Sequence, residues 1–298
     1  MGSERVTLKM NRTAIPKTYK LYIGGKFPRS ERGRVLPQHD AQGAWMANYC
    51  WSTRKDFRNA MQAARAAQGG WAQRSAFNRS LILYRIAETL EDRRDVFERK
   101  LTHLLGIEST IATQLVSQSI DVIFFYAGWA DKYAPILSSV NPVAQPYFNF
   151  TTPEPAGVVA AFVSKTSPLL GLVSAICPII LSGNTCIAIV ENVAPTLAID
   201  LAEVLAVSDV PGGRVNLLTG TQDELIRHVA GHMDLNGIVY YGESDETLRQ
   251  IEEISAENVK RTKRYPDPAL ESWISAEPSL YTILPFIEFK TAWHPIGV

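Results

Sequence analysis

Length and composition are typical of a globular protein with a sizeable core. The chain has 298 residues, of which 46% are apolar and 20% are charged, enough for one large domain or two moderate ones. Thirty basic residues balance thirty acidic ones, so no net charge favours nucleic acid or an anionic membrane surface as a partner. No apolar run reaches the roughly 20 residues of a membrane helix, so we expect no membrane span.

Cysteine usage and the N-terminal segment bear on the compartment. Three cysteines are too few for a disulfide framework, which favours a reducing compartment. The first 18 residues, a predicted flexible tail, contain four basic residues but no apolar segment, so they do not resemble a secretory signal. We expect a cytoplasmic protein, with a mitochondrial location as the alternative.

The N-terminal part, 19–138, predicts a hairpin followed by a helical lobe. Residues 19–27 predict two short strands joined by a turn at Gly24-Gly25. One further short strand is expected in the loop that follows. Apolar residues then recur at helical spacing after the N-cap candidate Thr53, and Gly69-Gly70 is the expected end of that helix. Three more helices are predicted over 75–94, 96–105 and 110–132.

The central part predicts a Rossmann-like sheet. Over 154–259, four buried strands rich in β-branched residues alternate with four helices, a pattern typical of a doubly wound parallel sheet. An extended segment broken by Pro142 and Pro146 precedes it over 139–153. The polar segment 260–285 predicts a linker, and 286–298 contains one final strand. We therefore predict an α/β protein with a helical N-terminal lobe and a small β arm.

Several segments resemble, in the same order, parts of the aldehyde dehydrogenases. They are Tyr22-Ile-Gly-Gly-Lys-Phe27, Glu154-Pro-Ala-Gly-Val-Val159, Ser182-Gly-Asn-Thr185, the segment 211–220 and Glu288-Phe-Lys-Thr-Ala-Trp293. The resemblance implies that the central sheet is the cofactor-binding sheet of that family. It also implies that the final strand is the one that pairs across a dimer.

The chemistry of that family is not supported by the residues present. Aldehyde dehydrogenases oxidise aldehydes through a cysteine thiolate and transfer hydride to NAD or NADP. The segment between Lys263 and Phe286 is too short for the family's catalytic domain, so the resemblance implies that this domain has been lost there. Cys50, Cys177 and Cys186 fit small buried hydrophobic positions better than a nucleophile position. We therefore expect no catalytic residue.

The cofactor positions implied by the resemblance also depart from the family's pattern. Thr166 replaces an asparagine whose amide contributes to the oxyanion hole, Ile189 replaces a ribose-binding lysine, and Asn192 replaces a ribose-binding glutamate. After Gly242, Glu243 replaces a serine, and its carboxylate would repel a pyrophosphate at the helix N-terminus. We therefore expect these degenerate positions to bind no cofactor.

This combination most resembles the shortened, non-catalytic second domain of family-16 aldehyde dehydrogenases. The resemblance implies a pseudoenzyme with a structural, assembly or regulatory role. We expect a homo-oligomer or a larger protein assembly through the strands at 139–153 and 286–293. One alternative is the non-nucleophile part of an NAD(P)-dependent aldehyde dehydrogenase that another domain or subunit completes. Another is a binder of a different small ligand in the remodelled crevice.

Two further patterns have simpler explanations than a functional site. His228 and His232 have zinc-ligand spacing on a helix, but no glutamate adjoins them, so we expect no metal. The basic run at 260–264 predicts a solvated linker.

Loss of the catalytic domain should expose apolar surface, which either the segment 260–285 or another chain is expected to cover.

Overall fold

The computed structural model describes residues 17–191 and 193–296, and it confirms the predicted α/β class with a parallel sheet. The predicted tail over 1–18 lies almost wholly outside these residues. Among the described residues, no helix has both the length and the apolar character needed to cross a membrane.

The secondary structure follows the predicted order. The strands are β1 (Thr18–Tyr19), β2 (Val35–His39), β3 (Trp45–Cys50), β4 (Ser139–Asn141), β5 (Tyr147–Pro155), β6 (Val158–Phe162), β7 (Thr185–Val190), β8 (Val215–Thr219), β9 (Gly237–Tyr241), β10 (Arg261–Tyr265) and β11 (Ile287–Pro295). The helices are α1 (Arg54–Ala72), α2 (Ala76–Asp92), α3 (Arg94–Leu105), α4 (Ser109–Trp129), α5 (Tyr133–Leu137), α6 (Leu170–Leu181), α7 (Pro195–Val207), α8 (Gln222–Ala230), α9 (Asp245–Ala256) and α10 (Leu270–Ser275). A 3₁₀ helix, Leu280–Phe286, precedes β11.

The main sheet has the strand order β10-β9-β6-β7-β8, and all its strands are parallel. Every residue of β6, β7, β8 and β9 is buried, as expected for a parallel sheet covered by helices on both faces. Alternate residues belong to different cores. Phe162, Ile189 and Leu218 pack on the face of α1, α8 and α9, whereas Ala161 and Ala188 face α6 and α7.

Helix α1 begins as predicted but ends later. Thr53 caps it, because its side chain accepts a hydrogen bond from the Asp56 backbone while Asp56 accepts one from the Thr53 backbone (2.8 Å). The predicted end at Gly69-Gly70 is wrong, since the helix continues through both glycines to Ala72. Trp71 explains the extension, because it is 1% exposed and its indole donates to the Ile180 carbonyl (2.9 Å).

The predicted hairpin around Gly24-Gly25 is present in a minimal form. Ile23 and Lys26 exchange both backbone hydrogen bonds (2.9 and 3.0 Å), and the Leu21 N–H donates to the Pro28 carbonyl (3.0 Å). Gly25 has a φ of +78°, and a Cβ added to it would lie 2.9 Å from the Gly212 Cα. The hairpin stays short and docks closely on the main sheet, where Tyr22 bridges to Leu217 of β8. Where one short strand was expected next, the structure has the antiparallel pair β2 and β3.

The segment 260–285 is not the solvated linker predicted from its composition. Residues Arg261–Tyr265 form β10, which pairs with β9 along its whole length. A strand at the edge of a sheet leaves side chains in water, so basic residues fit it without an apolar pattern. The rest of the segment folds back on α4 and α6 and buries Trp273, Ile283 and Phe286. Of the two expected covers for the exposed surface, the segment itself is the one observed.

The third sheet has the order β11-β5-β4. Strand β11 runs antiparallel to β5 from the pair Ile287–Pro155 to the pair Pro295–Tyr147. The expectation that the final strand adds to a neighbour's sheet is thus modified, because one of its edges is already paired within this chain. In the described part of the chain, no strand lies on the outer edge of β11.

Candidate functional site at the carboxyl ends of the parallel strands

The carboxyl ends of β6, β7, β9 and β10 meet at one end of the sheet. In open parallel sheets this end forms the crevice where ligands bind. The loop after β6 contains Thr166, β7 ends beside Ile189, and the turn after β9 contains Gly242 and Glu243. Thr166, Gly242 and Glu243 therefore lie at this end of the sheet, and Ile189 is the penultimate residue of β7. Asn192 lies outside the described residues.

A carboxylate of the chain itself, that of Asp267, fills the loop after β6. The hydroxyls of Ser164 (2.6 Å) and Thr166 (2.7 Å) lie against its Oδ1, and the Lys165 backbone N–H donates to its Oδ2 (2.7 Å). The Trp273 indole N–H lies 3.2 Å from Oδ1. The donors of this loop are thus directed at Asp267.

The Thr166 hydroxyl has no free hydrogen for a ligand. Its Oγ1 lies 2.7 Å from Asp267 Oδ1 and 2.8 Å from the Pro268 carbonyl oxygen. A hydroxyl donates a single hydrogen, and both of these neighbours are acceptors. Sequence reasoning identified the Thr166 position but missed Asp267, which follows β10 in a segment without periodic pattern.

Glu243 belongs to the same network. Its Oε1 accepts the Asp267 backbone N–H (3.0 Å), and its Oε2 forms an ion pair with Arg264 (3.2 Å). Arg264 also donates to the Gly242 carbonyl (2.9 Å) and pairs with Asp245. These hydrogen bonds, with that to Asp245 the strongest contributor, raise the pKa of Arg264. The turn after β9 is therefore tied to β10 and to the segment that follows it.

Side chains also cap the two helix N-termini that border the crevice. At α8, Glu191 Oε2 accepts the Gln222 backbone N–H (2.7 Å), and Lys165 lies 3.1 Å from the same oxygen. At α9, the Ser244 hydroxyl accepts the Thr247 backbone N–H (3.2 Å). Anions bind helix N-termini through such N–H groups, and here oxygens of the chain accept one N–H at each helix.

Ile189 contributes no polar group to the crevice. It is fully buried and pairs in register with Phe162 of β6 and Leu218 of β8. Its side chain belongs to the apolar core beneath α1, α8 and α9. A lysine at this position would have to leave that core to reach a ligand.

An apolar cavity of about 200 Å³ lies beside the Asp267 network, between α4, α6 and the segment after β10. Its lining includes Tyr126, Tyr241, Tyr265 and Trp273. Tyr241 and Tyr265 stack with ring centroids 5.3 Å apart. Burial raises the pKa of Tyr265 to about 12, so this hydroxyl is protonated at neutral pH.

The three cysteines are all buried. Burial raises the pKa of Cys177 and, together with the neighbouring Cys177, that of Cys186, so both are thiols at neutral pH.

For the two histidines at zinc spacing, the ring of His232 packs edge-on against Phe57 (5.7 Å between centroids). Among residues 17–191 and 193–296, no group of three metal-ligating side chains comes together.

Comparison with known proteins places this architecture in a family. The sequence profile of the aldehyde dehydrogenase family matches residues 29–264. The chain belongs to the aldehyde dehydrogenase family. It is 28% identical to the Bacillus subtilis (strain 168) protein named "Putative aldehyde dehydrogenase DhaS", over 260 residues that are 84% of this chain and 50% of DhaS. It is 26% identical to human cytosolic 10-formyltetrahydrofolate dehydrogenase, covering 86% of this chain and 29% of that protein.

Solved aldehyde dehydrogenase structures share the fold. The NAD⁺ complex of the Bacillus cereus enzyme superposes with a TM-score of 0.79 at 24% identity, over 84% of this chain and 51% of that one. HpcC from Thermus thermophilus superposes with a TM-score of 0.78 at 26% identity, over 83% of this chain and 48% of HpcC. The chain thus spans about half the length, or less, of these relatives.

Proposed function

We propose that this aldehyde dehydrogenase family member is a non-catalytic domain that acts in protein assembly. The observation that carries the proposal is the occupation of the cofactor crevice by Asp267. Its carboxylate takes the donors of the loop after β6, so a ligand phosphate or an oxyanion would have to displace it. The likeness to the shortened second domain of family-16 aldehyde dehydrogenases supports the same function.

A nicotinamide dinucleotide does not fit the residues around the crevice. Its pyrophosphate would meet the carboxylates of Glu243, Asp245 and Glu191 at the two helix N-termini. Ile189 offers no hydrogen bond to a ribose hydroxyl, because its side chain is buried in the core. We therefore propose that neither NAD nor NADP binds here as it does in the catalytic members of the family.

The residues present also provide no nucleophile. An aldehyde carbon must reach a thiolate, and Cys177 and Cys186 are 3% and 0% exposed with raised pKa values. Cys50, at 1% exposure, is equally out of reach. Without an accessible thiolate, the covalent route of the family cannot start on this chain.

The assembly role rests on the third sheet. The outer edge of β11 has no strand beside it in the described chain, and the strand is nine residues long. Phe289 (51% exposed) and Trp293 (59% exposed) lie on one face of it, since they are four residues apart in a strand. Long exposed edges with apolar side chains are the surfaces that other strands cover. We propose that a second copy of the chain covers this one.

Light scattering tests the assembly role. Wild type should be an oligomer, and the Phe289→Glu/Trp293→Glu variant should have the mass of a single chain. Phe77→Glu is the matched control, because Phe77 is 67% exposed on α2, away from this sheet, and that variant should remain oligomeric. A monomeric wild type, or an unchanged mass in the double variant, would refute the role.

A second candidate function is the non-nucleophile part of an aldehyde dehydrogenase completed by another domain or subunit. The relatives favour it, because DhaS is named as an aldehyde dehydrogenase and this chain spans half of it. Reduction of NAD or NADP with a panel of short aldehydes, followed by cofactor absorbance, separates the two functions. If the chain is a pseudoenzyme, no reduced cofactor forms. Reduction of NAD or NADP by a larger protein or complex that contains this chain, lost when residues of the crevice are changed, would support the second candidate.

A further inference from the structure

A second groove lies between the N-terminal turn of α1 and one side of α8. Its volume is about 760 Å³. Five cations line it, namely Arg32, Arg34, Arg54, Lys55 and Arg58, together with His228. Only two carboxylates lie among them, so three positive charges remain in a chain whose formal net charge is zero. We call this surface the basic groove.

The two carboxylates are already used. Glu224 holds Arg34 through both its oxygens (3.3 and 3.5 Å), and Glu31 pairs with Lys55. Arg34 also stacks on the Trp51 ring, with its guanidinium carbon 3.6 Å from the ring centroid. No hydrogen bond or ion pair of a described residue reaches the remaining three guanidinium groups, which belong to Arg32, Arg54 and Arg58.

The position of two of these cations runs against helix stability. Arg54 and Lys55 are the first two residues of α1, at the positive end of the helix dipole, where carboxylates are preferred. Lys55 is paired with Glu31, so Arg54 is the cation left there without a partner among the described residues. Its charge reaches His228, whose pKa is lowered first by burial and then by the neighbouring Arg54.

We propose that the basic groove binds a small molecule that carries more than one phosphate group. Arginine forks match phosphate oxygens in pairs of hydrogen bonds, and three uncompensated guanidinium groups can serve several oxygens at once. A single phosphate monoester carries about two negative charges at neutral pH, so more than one phosphate is needed to balance three cations. The lining of the groove shares no residue with the Asp267 network, so this proposal stands independently of the proposed function.

Isothermal titration with inorganic tripolyphosphate tests the proposal on the whole chain at low salt. Wild type should bind one tripolyphosphate per chain with saturation. Arg54→Gln/Arg58→Gln should bind at least about tenfold more weakly, since each lost charge-assisted hydrogen bond removes a substantial part of the affinity. Arg249→Gln is the control, because Arg249 is exposed on α9 and does not line the groove. Its affinity should match that of wild type.

Three outcomes decide the proposal. Saturable binding that the double variant loses and the control keeps would support it. Equal affinity in all three proteins would mean unspecific attraction and would overturn it, as would the absence of binding to wild type at millimolar tripolyphosphate. Circular dichroism of the double variant guards against misfolding, and we expect no change because both arginines are exposed.

Discussion

The parallel sheet and the segment that follows it differ in how they are held together. Strands β6 to β9 are completely buried, and apolar contacts on two faces stabilise them. The segment from β10 to the 3₁₀ helix is anchored at the crevice mainly by polar contacts, of which those of Asp267 and Glu243 are the most numerous. We call the buried sheet the frame; the segment contacts it at the carboxyl ends of its strands, through Asp267.

This difference shows which part of such a fold tolerates replacement. A buried strand must form hydrogen bonds with the strands beside it and pack against helices on both faces. A segment at the strand ends needs only to accept hydrogen bonds from the donors exposed there. Here one carboxylate, that of Asp267, meets four of them, namely the hydroxyls of Ser164 and Thr166 and the backbone N–H groups of Lys165 and Thr166. The four tests that follow separate the frame from the segment.

The largest effect is expected in the frame. Phe162 is fully buried in β6, so Phe162→Ala should lower the free energy of unfolding by about 3–5 kcal/mol, measured by urea denaturation. Phe77→Ala, which truncates an exposed ring on α2, should change it by less than about 0.5 kcal/mol. Similar losses in both variants would show that the sheet is not the stabilising frame.

An intermediate effect is expected at the crevice. Asp267→Ala removes the acceptor of the Ser164 hydroxyl (2.6 Å) and of the Lys165 backbone N–H (2.7 Å), and it should cost about 1–3 kcal/mol in the same assay. Asp267→Asn keeps an acceptor oxygen and should cost less. The control is Asp121→Ala, which removes an exposed carboxylate from α4. If Asp267→Ala loses no more free energy of unfolding than this control does, the contacts of Asp267 do not anchor the segment.

A smaller effect is expected from alkaline pH. Burial raises the pKa of Tyr265 from its ordinary value of 10.0 to about 12. Its contribution to stability is therefore complete below pH 10 and is lost as the pH rises from 10 through 12. Other buried tyrosines add to the same loss, so Tyr265→Phe should lose less stability over this range than wild type does. An identical pH dependence in the variant would contradict the burial of this hydroxyl.

The smallest effect is expected at the thiols. With all three cysteines buried, a thiol reagent should label none of them in the native protein and all of them in denaturant. Labelling of a native thiol at the rate of a free cysteine would reopen the question of a nucleophile.

Much of the frame could be predicted from the sequence because its pattern is local. The four strands and four helices predicted over 154–259 are β6 to β9 and α6 to α9, in alternation, since Pro195 begins a helix and buried runs define the strands. Strand β10 was missed, because an edge strand of basic residues has no apolar period. The end of α1 was misplaced, because burial of Trp71 outweighs two glycines.

The candidate site was predicted only in part. Thr166, Ile189 and Glu243 were found by resemblance, since each stands at a recognisable place in a motif. Asp267 and Glu191 were missed, because their carboxylates accept hydrogen bonds from residues that are distant in the sequence and close only in the fold. The contacts of Asp267 join residues about one hundred positions apart, and no local pattern encodes such a distance.

We propose that the crevice does not bind a nicotinamide cofactor, and a thermal-shift titration measures such binding without requiring turnover. Wild type and Arg54→Gln/Arg58→Gln are titrated with NAD and NADP to millimolar concentrations, the variant serving to exclude binding in the basic groove. A ligand selective for the folded state raises the melting temperature by mass action. We predict no shift in the variant with either nucleotide. A saturable rise of several degrees in both proteins would contradict the account.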